Sequence, residues 1–168
     1  METDSLIAAK PSTMRFPNVQ LDEGWEVSTF VIVDDVEDLD ALTPEHRKIA
    51  RSLAVIYRNV GIRGIANWKG GTKTSPRDFL DIVVTVFDDV ESCRRQWDAK
   101  YESNGFEDEF TKHVEKNHTY LDRRDLNMRL IRVRNAWIST CQTSNGEMHI
   151  RIGAELLAQC TQTAKEGP

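Results

Sequence analysis

The sequence predicts an α+β fold in which a mainly antiparallel sheet of four or five strands packs against two or three helices. In residues 80–87 apolar side chains alternate with others at a period of two, which is typical of a β-strand. From Val90 to Tyr101 the apolar period changes to three or four residues, which is helical. The length of 168 residues suits a single domain with a substantial core.

The N-terminal region predicts an arm followed by a strand. Residues 1–22 hold two prolines and few periodic apolar positions, so we expect a flexible arm. Within it, Met14, Phe16 and Val19 are apolar enough to dock on another surface. Residues 25–33 predict a strand with apolar side chains on both faces, which indicates that both faces are covered.

The clearest helix signal follows an acidic loop. Thr43 is a good N-cap, Pro44 suits the first helical position, and Gly61 is a typical C-terminal stop. The predicted buried stripe of this helix contains Ile49, Leu53, Ile56 and Val60.

The middle of the chain predicts a hairpin and a strand–helix unit. Residues 62–68 predict a short strand, and the segment from Lys69 to Lys73 predicts the turn of a hairpin. After the strand–helix unit, residues 106–116 predict a second short helix.

The C-terminal part predicts a β-hairpin. Residues 127–140 predict one strand, the Asn-Gly pair at 145–146 a tight turn, and residues 148–152 the returning strand. The predicted organisation is therefore a globular domain over 23–162, between the arm of 1–22 and a disordered tail over 163–168.

Composition narrows the class of protein. The formal net charge of −5 argues against a simple nucleic-acid coating protein. Three widely spaced cysteines indicate reduced thiols, as in the cytosol or nucleus. We expect no secretion and no transmembrane segment, because a signal-peptide pattern and an apolar run of roughly 20 residues are both lacking.

The residues predict no catalytic site, no metal site and no cofactor. His113 and His118 are five residues apart, which on a helix would separate them by about 140° and prevent a shared metal. The Asp88-Asp89 pair is explained by helix capping. We therefore expect a protein that is not an enzyme.

Basic side chains give the best candidates for partner binding. Guanidinium groups suit phosphate or carboxylate recognition, although they can also pair with the acids of the same chain. Lys69 and Lys73 at the predicted turn are candidates for contact with an acidic surface. The arginine candidates for an anionic partner are Arg123, Arg124, Arg129, Arg132 and Arg134.

The strand–helix unit resembles a segment of rhabdovirus matrix proteins. The residues are DIVVTVFDDVES followed by RRQWDAKYESNGFEDEF, in which a strand ends in an aromatic residue and two aspartates, and a helix carries a Trp-Asp pair. The order of predicted elements agrees over residues 25–140. The low arm charge, the lack of a P-P-x-Y or P-[ST]-A-P string and the acidic net charge differ from the animal-virus proteins. A plant-infecting member would not need the budding motif.

This resemblance implies a structural protein of the virion and of the host cytoplasm or nucleus. Such a protein self-associates, condenses the viral nucleocapsid and links it to a membrane surface or envelope glycoprotein, without sequence-specific binding to nucleic acid. In that hypothesis Met14, Phe16 and Val19 dock on a neighbouring subunit, and the arginines meet the nucleocapsid. The alternatives are a small cellular protein-binding or adaptor domain, or a small enzyme with its pocket in a curved sheet.

Overall fold

A computed structural model of the chain describes residues 10–41, 47–102, 109–123, 125–143 and 146–162. In these residues one antiparallel sheet is flanked by α-helices, so the predicted α+β class is confirmed. The sheet has seven strands rather than the four or five expected.

All strand pairs are antiparallel, and the spatial order is β1-β2-β3-β7-β6-β5-β4. The last strand of the chain therefore lies in the centre of the sheet. The strands are β1 (Trp25–Val33), β2 (Ile62–Thr72), β3 (Leu80–Phe87), β4 (Phe110–Val114), β5 (His118–Arg123), β6 (Asn127–Val133) and β7 (Ala136–Gln142). The helices are α1 (Arg47–Asn59), α2 (Val90–Trp97) and α3 (Met148–Thr161).

The two faces of the sheet are covered differently. The alternating row of β3, exemplified by Ile82 and Val84, is fully buried beneath α3 and residues 14–21, and we call this side the α3 face. The opposite side, the α2 face, carries α1 and α2 in separate patches around Val83 and Trp97. Coverage of both faces explains why β3 is apolar throughout most of its length.

A β-bulge explains the two apolar faces of β1. The register with β2 shifts between Thr29 and Val31. As a result Val27 packs into the core of the α3 face, whereas Val31 packs into the α2 face. The residue at the bulge, Phe30, remains 55% exposed.

The predicted strand–helix unit is present. Asp89 caps α2 by accepting a hydrogen bond from the backbone N–H of Ser92 at 2.6 Å, and this bond lowers the pKa of the Asp89 carboxyl. Cys93 and Trp97 form the buried stripe of the helix. A π-helical turn over Asp98–Glu102 then carries Tyr101 onto the same aromatic cluster as Trp97.

The first long helix is present but packs differently from the expectation. Gly61 lies just beyond its end with a φ of +80°, as its predicted role as a C-terminal stop requires. Ile56 is 55% exposed, so it does not belong to a buried stripe. The predicted cap, Thr43-Pro44, lies outside the described residues.

The predicted turn at Lys69–Lys73 was wrong, because β2 continues to Thr72. Glycines at positions 70 and 71 allow this close packing: a Cβ at Gly70 would lie 2.6 Å from the carbonyl oxygen of Glu26. The chain turns after β2 instead, before Leu80.

Three further elements in the second half of the chain differ from the expectation. Residues 110–114 form β4 rather than the end of a helix. The single strand predicted over 127–140 divides into β6 and β7 at a two-residue turn. The predicted returning strand at 148–152 is the first part of α3, whose buried positions recur at helical spacing at Met148, Ile152, Leu156 and Cys160.

Residues 10–22, which we expected to form a flexible arm, lie along the α3 face. Met14 is 1% exposed in the main core, and the ring of Phe16 packs edge-on against Trp68 with centroids 6.1 Å apart. The backbone of Arg15 exchanges hydrogen bonds of 3.0 and 2.8 Å with the side chain of Gln159 on α3. The physical reason is that α3 packs on β6 and β7, so this segment supplies apolar cover to the core beside it. The predicted tail over 163–168 lies outside the described residues.

We predict that Met14→Ala lowers the free energy of unfolding by about 2–5 kcal/mol, because it removes buried methylene groups and leaves a cavity. Urea denaturation of the full chain measures the change. Asn18→Ala, at an exposed position of the same segment, is the matched control and should change stability by less than about 0.5 kcal/mol. Equal effects of the two substitutions would contradict the packing of this segment on its own chain.

Candidate anion-binding cleft

A cleft of about 470 Å³ lies at one end of the sheet, within the size range of small-molecule sites. The β4–β5 turn, the β6–β7 turn, the first residue of α2 and the last residue of α3 meet there. Its charged and titratable lining consists of Glu115, Lys116, His118, Arg132 and Arg134. Three permanent cations therefore face one carboxylate, so the cleft is locally positive in an acidic protein.

Arg132 reaches the cleft from β6 on the α2 face. Its backbone pairs with Thr119 on one side and Trp137 on the other, and its guanidinium carbon lies 5.8 Å from the centre of a Trp97 ring. The Nε atom is buried and has no hydrogen-bond partner among the described residues. A buried donor of this kind is uncommon in native proteins and calls for an acceptor such as a water or an anion.

The carboxylate of Glu102 offsets the positive charge of Arg132 only in part. Glu102 accepts hydrogen bonds from Lys112 at 2.8 Å and from the Trp97 indole at 3.2 Å. The bond from Lys112 is the main cause that lowers the pKa of Glu102, and the charge of Arg132 contributes less. Glu102 is thus mainly the partner of Lys112.

Arg134 occupies a strained position in the β6–β7 turn. Its φ of +51° lies in the left-handed region, which costs an L-residue with a Cβ roughly 1–2 kcal/mol. The turn is held by Asn135, whose side chain donates to the carbonyl of Phe87 at 2.7 Å and whose carbonyl accepts from Phe87 at 2.8 Å. The Arg134 guanidinium donates to the carbonyl of Thr161 at 2.8 Å, at the negative end of α3.

The remaining cation, Lys116, comes from the β4–β5 turn together with His118. The backbone N–H of Glu115 donates to the carbonyl of His118 at 2.9 Å, which closes the turn. Lys116 at the tip is exposed, and His118 is half-buried. Sequence reasoning missed both, because residues 106–116 were predicted as a helix and the turn before His118 was not recognised. The signal that could have found them is the polar Glu-Lys-Asn tripeptide between two short segments rich in β-branched and aromatic residues.

The five predicted arginines do not form one surface. Arg123 pairs with Asp125 at 2.7 Å, and Arg129 forms two hydrogen bonds with Asp122 at 2.6 and 2.8 Å. For these two, the alternative of internal pairing holds. Arg124 lies outside the described residues. The cleft brings together Arg132 and Arg134.

The other predicted contact residues have partners within the chain. Lys73 forms an exposed ion pair with Glu26 at 3.1 Å, and the Lys69 ammonium lies 4.2 Å above the ring of Phe30. The predicted self-association residues Met14, Phe16 and Val19 pack against the core of their own chain.

A second polar cluster lies on the α3 face of the outer strands. The Arg129 guanidinium lies 4.4 Å from the ring centre of Tyr120, and the ring of His113 stacks on Tyr120 at 4.4 Å with an interplanar angle of 11°. His118 continues this stack at 5.9 Å and 21° from Tyr120. His118 therefore belongs both to the stack and to the cleft.

The cysteines are poor nucleophiles. Burial raises the pKa of Cys93 and of Cys160 to about 12, and burial also raises the pKa of Cys141. In the part of the chain that the structure describes, His, Cys, Asp and Glu side chains form no group of three that could hold a metal ion. None of the described helices has the length and apolar character needed to cross a membrane.

A larger cleft of about 790 Å³ separates residues 19–23 from α3. It is shallow and acidic, since it is lined by Asp22, Glu23 and Glu155 together with Arg151. Arg151 already lies 3.4 Å from Asp22. This cleft lacks the buried donor that distinguishes the cleft at Arg132.

No protein-family model matches the chain, and no curated protein matches it. Among solved structures, the extracellular domain of PknH from Mycobacterium tuberculosis is similar with a TM-score of 0.44 and 8% sequence identity, over 81% of this chain and 81% of that chain.

We predict that His149, at the start of α3, makes stability depend on pH. Burial, and secondarily the charge of Arg129, lowers the pKa of His149, whose Nδ1 lies 3.0 Å from the side-chain oxygen of Gln142. Below the unfolded-state pKa of about 6.5, His149 binds a proton in the unfolded chain more readily than in the folded chain. The free energy of unfolding should therefore fall as the pH decreases through about 6.5, and should recover above it.

Urea denaturation at several pH values measures this dependence. His149→Asn keeps a donor for Gln142 and should flatten the slope below pH of about 6.5. His113→Asn, at a half-buried position, is the control and should retain the slope. An unchanged slope in His149→Asn would exclude this histidine as the cause.

Proposed function

We propose that the chain is a non-catalytic binding domain that recognises an anionic group of a partner, a phosphate or a carboxylate, in the cleft formed by Lys116, Arg132 and Arg134. The observation that carries the proposal is the buried Nε of Arg132, which has no hydrogen-bond partner among the described residues. An anion in the cleft would supply the missing acceptor if the Arg132 side chain shifts to expose its buried Nε.

The energetics favour an anion of high local charge. Hydrogen bonds to charged groups contribute about 1.5–3 kcal/mol each, and they strengthen where water is partly excluded. Val90, the first residue of α2, also lines the cleft, but the carboxylates of Asp89 and Glu91 offset the partial positive charge of this helix N-terminus. Because the whole chain has a formal charge of −5, we infer that recognition depends on local geometry rather than on long-range attraction.

The side chains in and near the cleft that could act as nucleophiles favour binding without catalysis. The Cys93 thiol, which lies near Arg132, is held protonated by burial, with its pKa raised to about 12. The hydroxyl of Thr161 donates within α3, to carbonyls of Leu157 and Ala158. A buried protonated thiol and a hydroxyl that donates within its own helix are both poor nucleophiles.

We expect inorganic pyrophosphate to raise the melting temperature of the wild-type protein, with a smaller effect at high salt. Arg132→Gln should weaken pyrophosphate binding by roughly tenfold to a hundredfold, the equivalent of one charged hydrogen bond. Isothermal titration calorimetry measures the affinity. Arg123→Gln removes the same charge at a position paired with Asp125, outside the cleft, and should change the affinity less than about threefold.

Equal weakening by both substitutions would indicate a general charge effect and would overturn the cleft as the site. Thermal denaturation of each variant without ligand separates a binding defect from a folding defect. Arg132→Lys provides a further check, because it keeps the charge but not the Nε donor.

Matrix-type self-association is a second candidate function, favoured by exposed apolar side chains on α1. Val55 and Ile56 are 62% and 55% exposed on consecutive positions of this helix. Exposed apolar patches are typical of interfaces between proteins. In this proposal α1, rather than the segment around Met14, joins subunits, and the cleft cations meet the nucleocapsid.

If α1 joins subunits, we predict that the mass of the particles rises with protein concentration, as measured by light scattering coupled to size exclusion. Val55→Glu with Ile56→Glu should abolish the assembly, because it would bury charges at the interface. Phe79→Glu with Leu126→Glu is the matched control, since these exposed apolar residues lie away from α1. A monomer at all concentrations, at low and at high salt, would contradict the matrix-type function.

A further inference from the structure

We propose that the anion bound in the cleft is the phosphate of a nucleotide whose base stacks on the ring of His118. This inference rests on the proposed anion-binding function and specifies its ligand class. The ligand is either a free nucleotide or a unit of single-stranded RNA, which present the same base and phosphate.

The first argument is the double role of His118. His118 is one of the residues that line the cleft, together with Arg132 and Arg134. Its ring is also a member of a stack, with its centroid 5.9 Å from that of Tyr120 and an interplanar angle of 21°. A planar group in the cleft would extend a stack of planar groups that already exists.

The second argument is the position of His118 at the end of its strand. Tyr120 follows on the same face of β5, whereas the residues before His118 form the β4–β5 turn that lines the cleft. Thr119, between the two rings, is directed to the opposite face and pairs with Arg132. We infer that one face of the imidazole meets Tyr120 and the other is directed towards the cleft.

The third argument is the rigidity of the platform behind His118. The ring of Tyr120 is packed by His113 at 4.4 Å and by the Arg129 guanidinium at 4.4 Å. Arg129 is fixed in turn by two hydrogen bonds to Asp122. A platform held in place before binding loses little side-chain freedom when a base stacks on it.

These features favour a nucleotide over an acidic peptide. A carboxylate side chain would use the cations but would add no planar group to the existing stack of His118 and Tyr120. Stacking on an aromatic ring strengthens binding by roughly tenfold to a hundredfold for each base and tolerates every base. Such binding would therefore not depend on the identity of the base.

Calorimetry with adenosine 5′-monophosphate and ribose 5-phosphate tests the base directly, because the two probes share the phosphate and the sugar. We expect the wild-type protein to bind adenosine 5′-monophosphate at least tenfold more tightly than ribose 5-phosphate. His118→Ala should reduce this ratio to near one while leaving the affinity for ribose 5-phosphate within about threefold. His118→Phe should preserve the ratio, and His113→Ala, which removes the other histidine ring stacked on Tyr120, should reduce it by less than threefold.

The outcomes separate this inference from the function on which it rests. Equal affinities for the two probes, both sensitive to Arg132→Gln, would overturn the nucleotide but retain the anion-binding cleft. Failure of ribose 5-phosphate, pyrophosphate and the nucleotide to bind would overturn both. A short oligoadenylate distinguishes the sources: tighter, salt-sensitive binding of the oligomer supports RNA, and affinity equal to that of the mononucleotide supports a free nucleotide.

Discussion

The pairing of β3 with β7 is the interaction on which the rest of the structure depends. It joins the three N-terminal strands to the four C-terminal strands, and its register extends from Leu80 opposite Gln142 to Val86 opposite Ala136. Just beyond the end of this ladder, Asn135 exchanges two hydrogen bonds with Phe87. The β3–β7 pairing therefore joins the two parts of the core. It also anchors the β6–β7 turn, which carries Arg134 into the cleft.

The cover on each face of the sheet has a separate consequence for the cleft. On the α3 face, residues 14–21 and α3 together bury the central strands, and the end of α3 supplies the carbonyl that orients Arg134. On the α2 face, Trp97 belongs to an aromatic cluster with Tyr101 and Trp137, and the Arg132 guanidinium, whose Nε is buried, lies 5.8 Å from a Trp97 ring. Two independently packed layers thus place two guanidinium groups at one end of the sheet.

Local patterns in the sequence were sufficient to predict β3 and α2, but they did not predict the elements in the second half of the chain correctly. In β3 the alternation persists over a whole strand and ends at a capping aspartate, so one interpretation is favoured. At Met148, Ile150 and Ile152 the same alternation is too short to distinguish a strand from a helix. Packing on β6 and β7 favours the helix α3. For the site, the sequence pointed to Arg132 and Arg134 but not to Lys116 and His118, since a turn between two unpredicted strands brings them there.

The spatial separation of the arginines shows why charge clustering along a chain differs from charge clustering in a site. Alternation along β6 sends Arg129 and Arg132 to opposite faces, and Asp122 neutralises the first of them. The cleft instead collects its cations from the β4–β5 turn, the end of β6 and the β6–β7 turn. Two unfavourable features coincide there, a buried donor on Arg132 and a left-handed backbone at Arg134. Sequences tend to retain such local costs where binding requires them, so their coincidence at one cleft is the strongest structural argument that this end of the sheet has a function.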